Sequence, residues 1–299
     1  MIRIVETPQK WMPKNSNTFP PHQGGNPLIE ERAFNHFCTQ DIESDYIYIP
    51  IQWTTYHCNN RYGKDLEKIS ELQKWCNELT STYPNEKFFT VVQYDDGPLV
   101  SIDNSKIFSC TSCGKSPKSK TSEYIPVPFL CQPHPGTPSE NKKYKVGFVG
   151  RDDSHELRKV VFEKLKGIPD YKFLINIADK GVSDISTPMR EVGFDSIFGL
   201  CPRGYGGGHG FRLFETIQMG AIPIYVSDQF WKPFSDVIDW DKLAIFVKDD
   251  EIDSIPKLVD DLIESGKYKE YQEYGKMTYN KYFTSEGTLN QMTKIVSNW

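Results

Sequence analysis

No run of apolar residues in this sequence approaches the roughly 18 that a membrane-spanning helix needs. The opening stretch, MIRIVETPQKWMPKNSN, also lacks an apolar segment of signal-peptide length, so the expectation is a soluble, cytoplasmic chain with no membrane span. An excess of positive charge is missing as well. With 35 Lys and Arg against 40 Asp and Glu the formal charge is -5, which excludes a general nucleic-acid binder, because phosphate neutralisation needs a basic surface. Any anion must be met by a local site. Cysteines are few and odd in number, 7 in 299 residues, in a chain large enough to need no disulfide framework, and a reducing cytosol is the simpler setting. Cys110 and Cys113 form one CxxC, but no second pair follows and only His134 lies within reach downstream, so two ordinary thiols beside a loop are preferred over a metal or redox site. No internal repeat is visible. Credible metal-binding DxD motifs are missing too: DDSHE reads as a helix cap and KDDEID as an acidic turn.

What is present is alternation of strands and helices. The length fits two domains of roughly 100 to 200 residues each, and 13% aromatic residues suit well-filled cores and sugar or base stacking. DYIYIPIQW (45–53) and KFFTVVQY (87–94) read as buried strands flanking a helix whose face carries Leu66, Ile69, Leu72, Cys76 and Leu79, a βαβ unit that implies a parallel sheet. SKIFSC and IPVPFL add shorter strands, and CQPHPGTPSENKK (131–143) reads as an interdomain linker. The alternation then restarts. YKVGFVG is a strand; RDDSHELRKVVFEKLKGI is a helix with Asp153 and Glu156 at capping-box spacing and Leu157, Val160, Val161 and Leu165 on one face. YKFLINIA, SIFGLCP, IPIYVSD and AIFVKD supply further strands, Ser254 to Glu264 is strongly amphipathic, and tyrosines at 268, 271, 274, 279 and 282 form an aromatic core stripe. The predicted class is α/β, two Rossmann-like domains facing across a cleft. Boundaries fall at 1–135, 136–270 and 271–299, the last a helical segment packing back toward the first domain.

The stretch CPRGYGGGHGFRLFETIQMG, 201–220, carries the chemistry. Strand, glycine loop and helix bring backbone N–H groups and a positive helix end to an anion. This is no Walker A loop, since no Gly-Lys-Ser/Thr follows, and GxGxxG fails at His209. Arg212 and Glu215, three apart, share a face beside the loop; one suits a phosphate and the other ribose hydroxyls, against the plainer reading of a solvated salt bridge. His209 either donates to the leaving phosphate or sugar, or caps the loop. Asp228, ending the next strand, also sits where a dinucleotide enzyme would place its ribose-binding acid, which keeps an NAD-dependent oxidoreductase as an alternative.

From Phe198 to Phe246 the ordered matches Cys201, Pro202, Gly204, Arg212, Glu215, Gly220, Ile222, Pro223, Asp228, Pro233, Phe234, Asp239 and Trp240 resemble the carboxyl-terminal signature of the exostosin-like glycosyltransferases. The resemblance is specific over about 145 to 255. It implies a GT-B arrangement, a UDP-linked donor, a glycan acceptor and inversion at the anomeric carbon, in a soluble stand-alone member. Gly210 departs from the serine common in the family. The expected donor site runs through Gly150 and Arg151 at one strand end, Arg158 as a weaker candidate, Cys201, Pro202 and Arg203 at the next, Gly208, His209 and Gly210 in the loop, then Phe211, Arg212, Glu215 and Asp228. The catalytic base is expected at Asp96, then Asp95, in TVVQYDDGPL, with His22 and His57 in reserve. No cofactor and no metal are expected. The transferred sugar is a pentose or hexose, UDP-xylose among the donors. A non-catalytic nucleotide-sugar or glycan-binding relative is the other alternative.

Overall fold

The computed structural model describes residues 2–14, 28–117, 119–181 and 184–299. The chain divides into two compact units, Met1–Leu130 with Thr284–Trp299, and Cys131–Phe283. In the first, strands β1 (Tyr46–Tyr48), β2 (Lys87–Val92), β3 (Ser105–Ser109) and β4 (Glu123–Pro126) form one parallel sheet in that order. Helices α1 (Ile29–Thr39), α2 (Trp53–Asn59) and α3 (Leu66–Thr82) accompany it. β2 buries five successive residues, as a strand covered on both faces must.

The strand expected over 45–53 is shorter. Pro50 has no N–H for the ladder, and after the Ile49 N–H donates to Phe89 O at 2.8 Å the chain turns into α2. Trp53, fully buried, anchors that turn by donating its indole N–H to Thr90 Oγ1 at 2.9 Å. In α3, Asp65 caps the first turn by accepting from Lys68 N; Leu72 and Cys76 are buried, whereas Leu66, at the first helical position, is exposed.

The second unit carries β5 (Tyr144–Gly150), β6 (Tyr171–Ile175), β7 (Ser196–Pro202), β8 (Ile222–Val226) and β9 (Ile245–Val247) in the order β6-β5-β7-β8-β9, all parallel. Its helices are α4 (Glu156–Leu165), α5 (Ser186–Phe194), α6 (Phe211–Gln218), α7 (Ile255–Glu264) and α8 (Tyr268–Thr278), the last running into a π-helical turn over Tyr279–Phe283. From β5 the chain passes through α4 to β6 on one side, then crosses through α5 to β7 on the other. Strand order therefore reverses between β5 and β7, and loops that diverge there leave a crevice outside the carboxyl ends of those two strands.

Three expectations are corrected. The cap of α4 is His155, whose Nδ1 accepts from Leu157 N at 3.2 Å, not Asp153; Val160 is correspondingly exposed while Phe162 is buried. Residues 131–143 are not a free linker but are fastened along the second unit. Cys131 Sγ–H donates to Phe211 O, Ser139 N–H to Phe194 O, and Lys143 N–H to Asp195 O at 2.9 Å, while Lys142 Nζ donates to Phe194 O at 2.7 Å. The boundary consequently lies at 130/131 rather than 135/136. Of the expected segment 271–299, residues through Phe283 stay with the second unit, where Tyr274 Oη accepts from Asp239 N and Gln272 Nε2 donates to Gly220 O.

The last helix, α9 (Ser285–Ser297), belongs to the first unit. Thr284 caps it by accepting from Gly287 N at 3.0 Å, Met292 and Val296 are fully buried, and His36 of α1 meets Thr293 Oγ1 at 2.8 Å. Trp299 stacks on Phe108 of β3, centroids 5.2 Å apart. Among the described residues, no helix is long and apolar enough to cross a membrane.

Candidate functional site

The glycine loop connects the carboxyl end of β7 to α6. Gly207 and Gly208 both hold left-handed backbone, φ +74° and +84°, and a Cβ on Gly208 would lie 2.6 Å from Trp231 Cβ, so only glycine lets the loop lie against that segment. Gly210, the cap of α6, offers no side-chain bond to the first turn, and among the described residues nothing stands within 4 Å of where its Cβ would be. The positive end of the helix follows the carboxyl end of β7, beside the switch point.

Arg212 and Glu215 rise from the first turns of α6. Sequence gave them separate duties, but the structure pairs them: Arg212 Nη1 stands 3.0 Å from Glu215 Oε2, with side chains only 17% and 14% exposed. This is no solvated bridge. Arg212 Nη2 also donates to Val149 O at the end of β5, beside Gly150, and its guanidinium lies 5.6 Å from the Phe148 ring centroid. On the far side of Glu215, His134 Nε2 lies 3.6 Å from Oε1. Sequence considered His134 only as a partner of the CxxC; its 81-residue separation from Glu215 leaves no local signal.

Arg158 of α4 is the best-anchored cation. Its Nε donates to Arg203 O at 3.0 Å, Nη1 to Arg151 O at 2.8 Å and Nη2 to Pro202 O at 3.2 Å, which ties the ends of β5 and β7 together. Burial, then the neighbouring charge of Arg212, lowers its pKa to about 10. The other arginines are matched by carboxylates. Arg151, exposed, is held by Asp153 and Asp179 at 2.5 and 3.0 Å, so it is a weaker donor ligand than expected. Arg203 pairs with Asp228. Burial opposes ionisation of Asp228, but the Arg203 hydrogen bond and charge outweigh it and keep this carboxyl below its ordinary value. Among the described residues Arg158 alone of the four meets carbonyls only, which reverses the expected order of Arg151 and Arg158.

Two expected donor residues turn inward. Cys201 Sγ is buried among Gly199 O, Thr216 Oγ1 and Arg212 O, and burial pushes its thiol up to about 12. His209 is buried edge-on to Phe214 at 4.9 Å, and burial lowers its pKa to about 3, so it is neutral and cannot act as a cationic donor to phosphate. Phe211 and Pro202 serve through backbone carbonyls, to Cys131 and Arg158.

In the first unit the carboxyl end of β2 runs into the turn Asp95–Pro98. Gly97 has φ +80°, and a Cβ there would meet Cys113 Cβ at 2.6 Å, so the turn packs tightly on the CxxC loop. Thr111 Oγ1 donates to Asp95 O and Ser116 Oγ to Asp96 O at 2.9 and 2.7 Å. Cys110 and Cys113 are both buried as separate thiols, the latter 2.7 Å from Ser109 Oγ. The Asp96 carboxylate, 16% exposed, is bridged by Lys115 at 3.3 Å. Asp95 reaches the surface, yet the protein around it disfavours its charged form; that crowding and the charge of Asp96 push its carboxyl up to about 6, against Lys115. His57 is no base: it is buried, contacts Pro98 O through Nε2 at 2.9 Å, and burial holds its pKa down at about 4. His22 lies outside the described residues.

Sequence missed Glu30. Fully buried at the start of α1, its carboxylate accepts from Thr54 N at 2.9 Å, Thr54 Oγ1 at 2.8 Å and Gln93 N at 2.8 Å, fastening α1, α2 and the end of β2. Burial pushes it up to about 7.

The exostosin GT47 domain matches residues 23–262. The chain belongs to this family. Among curated members, the Exostosin-1 homolog of Caenorhabditis elegans is 37% identical over 95 residues, 32% of this chain and 24% of that protein. A probable glucuronosyltransferase of Oryza sativa subsp. japonica, GUT1, is 31% identical over 88 residues, 28% and 21% of the two chains. The match to these exostosin-family relatives thus spans about a quarter of their length or less. Among solved structures, Anabaena Alr3699/HepE in complex with UDP and glucose superposes with a TM-score of 0.45 at 10% identity, covering 85% of this chain and 78% of that one. The pneumococcal O-GlcNAc transferase GtfA in complex with UDP and GlcNAc gives 0.44 at 12% identity, covering 89% and 59%.

Proposed function

We propose that the chain is an inverting glycosyltransferase that moves a sugar from a UDP-linked donor to a hydroxyl of a glycan acceptor. The observation that carries this is the Arg158–Arg212 pair on Phe148, at the open end of α6 and the switch point of the sheet. Membership of the exostosin GT47 family supports the reaction class. Charge that develops on the departing diphosphate is met by α6 and by Arg158, the cation with no carboxylate of its own. Glu215 accepts from the ribose hydroxyls. Asp95 takes the proton of the acceptor hydroxyl as its oxygen attacks the anomeric carbon and the bond to phosphate breaks.

This mechanism requires no metal, and the donor is a UDP-pentose or UDP-hexose, with UDP-xylose and, because plant relatives are probable glucuronosyltransferases, UDP-glucuronate first in the panel. The test is UDP release from such a panel in the presence of a chelator. Release from one donor is expected; absence of both release and UDP binding would reject the reading.

Asp95→Asn is expected to lower kcat by roughly 100-fold or more, the scale of general-base catalysis, with UDP affinity unchanged. Asp96→Asn should do less, because Lys115 already holds that carboxylate. Protonated Asp95 cannot accept a proton, so kcat should fall as the pH drops through about 6. A pH profile without that limb, or full turnover in Asp95→Asn, would remove Asp95 from the mechanism.

A further inference from the structure

We infer that His155 is a further donor-site residue, binding an oxygen of the diphosphate through Nε2–H while its other ring nitrogen caps α4. The inference rests on the donor reading above. Nδ1 accepts from Leu157 N at 3.2 Å. A ring nitrogen that accepts carries no proton, so in the neutral imidazole the proton sits on Nε2. The cap thereby fixes the tautomer. Burial and then the charge of Arg203 lower the pKa of His155; Asp228 opposes them and Arg158 adds to them, so the ring is neutral at neutral pH and lies among the charged groups just past β7 and β8. Among the described residues Nε2 makes no hydrogen bond, and the side chain is half-buried rather than enclosed.

His155 and Arg158 are three apart at the start of α4 and share its face, and Arg158 N–H donates to His155 O at 3.0 Å. The Arg158 guanidinium meets carbonyls and no carboxylate among the described residues. Gly204 keeps the space beside it bare. Where a Cβ on Gly204 would be, the described atoms within 4 Å beyond the adjacent chain are Arg158 Nη2 at 3.5 Å and Ser154 Oγ at 3.9 Å. The identity of the cap completes the argument. Asp, a common cap, would set a carboxylate beside Arg158 and cancel the charge an anion needs, and Ser or Thr would cap but reach no farther than the backbone. Histidine, outside that usual set, brings no negative charge and carries an N–H on the far side of its ring.

Two variants separate the duties. His155→Asn places its Oδ1 near Nδ1 and keeps the cap, but carries no N–H as far out as Nε2; His155→Gln places an amide N–H near Nε2 and gives up the cap. UDP and uridine are titrated into each full-length variant by calorimetry, and the urea midpoint is measured without ligand. His155→Asn is expected to bind UDP roughly tenfold more weakly, the loss of one hydrogen bond to a charged group, at an undiminished midpoint. His155→Gln should bind UDP within about threefold of wild type at a lowered midpoint. Uridine binding should change in neither. UDP affinity that follows the midpoint, falling in His155→Gln and not in His155→Asn, would show that His155 only caps, and overturns the inference while leaving the donor reading intact. Equal losses of UDP and uridine affinity in His155→Asn do the same. A wild-type chain that binds no UDP overturns both readings.

Discussion

Replacing Arg212 with alanine is expected to weaken UDP binding by about 2 to 3 kcal/mol, the worth of a charge-assisted hydrogen bond left unmade, and to destabilise the chain as well. The second effect follows from the partners. Arg212 bridges Glu215 and the Val149 carbonyl while lying on the Phe148 ring, and it is mostly buried. Its removal leaves a partly buried carboxylate without its cation, a loss on the order of 2 to 4 kcal/mol in such settings. Arg212→Lys should recover only part of both, because one ammonium cannot make the fork that reaches Glu215 and Val149 together. Calorimetry with UDP and urea denaturation separate the two losses. Unchanged UDP affinity in Arg212→Ala would take this residue out of the donor site.

The other large effect belongs to Glu30. Glu30→Ala strands the Thr54 and Gln93 N–H groups in a dry interior, at about 1 to 3 kcal/mol for each unsatisfied donor. Its cost is also expected to depend on pH. Burial raises the folded-state pKa from the ordinary 4.5 to about 7. Below 4.5 both states hold the proton and the contribution of Glu30 is fully present. Between 4.5 and 7 the unfolded chain releases the proton and the folded chain retains it, so stability falls by about 3 kcal/mol as pH rises through that window. The variant lacks this dependence. The penalty of the substitution should therefore be about 4 kcal/mol near pH 4.5 and about 1 near pH 8, measured by urea denaturation of variant and wild type side by side. Equal penalties at the two pH values would show that Glu30 does not change protonation on folding.

The chemistry that sequence reveals is local chemistry. Strand, glycine loop and helix from Ser196 to Gln218 are adjacent in the chain, and three-residue spacing alone puts Arg212 beside Glu215. Alternation of apolar runs likewise implies two parallel sheets, with the caps and ends of elements shifted by a few residues. What sequence could not supply is the partner of each charged group. Arg158 reads on paper as weaker than Arg151, and only the fold assigns carboxylates to Arg151 and Arg203 and carbonyls to Arg158. His134 reaches Glu215 and Glu30 reaches Gln93 across long stretches of chain, with no periodicity to announce them. For His209 the sequence leaves a donor and a loop cap both open, and only the fold shows its ring against Phe214.

The return of α9 to the first unit has a consequence for how the chain is made. Met292 and Val296 fill an interior built otherwise by residues made well before them, so that interior stays incomplete until α9 is released. The stretch from Cys131 to Phe283 is uninterrupted and has all its strands in hand earlier. Order of synthesis and order of folding are thus inverted between the two units: Cys131–Phe283 can close first, while β1 to β4, already made, wait for α9.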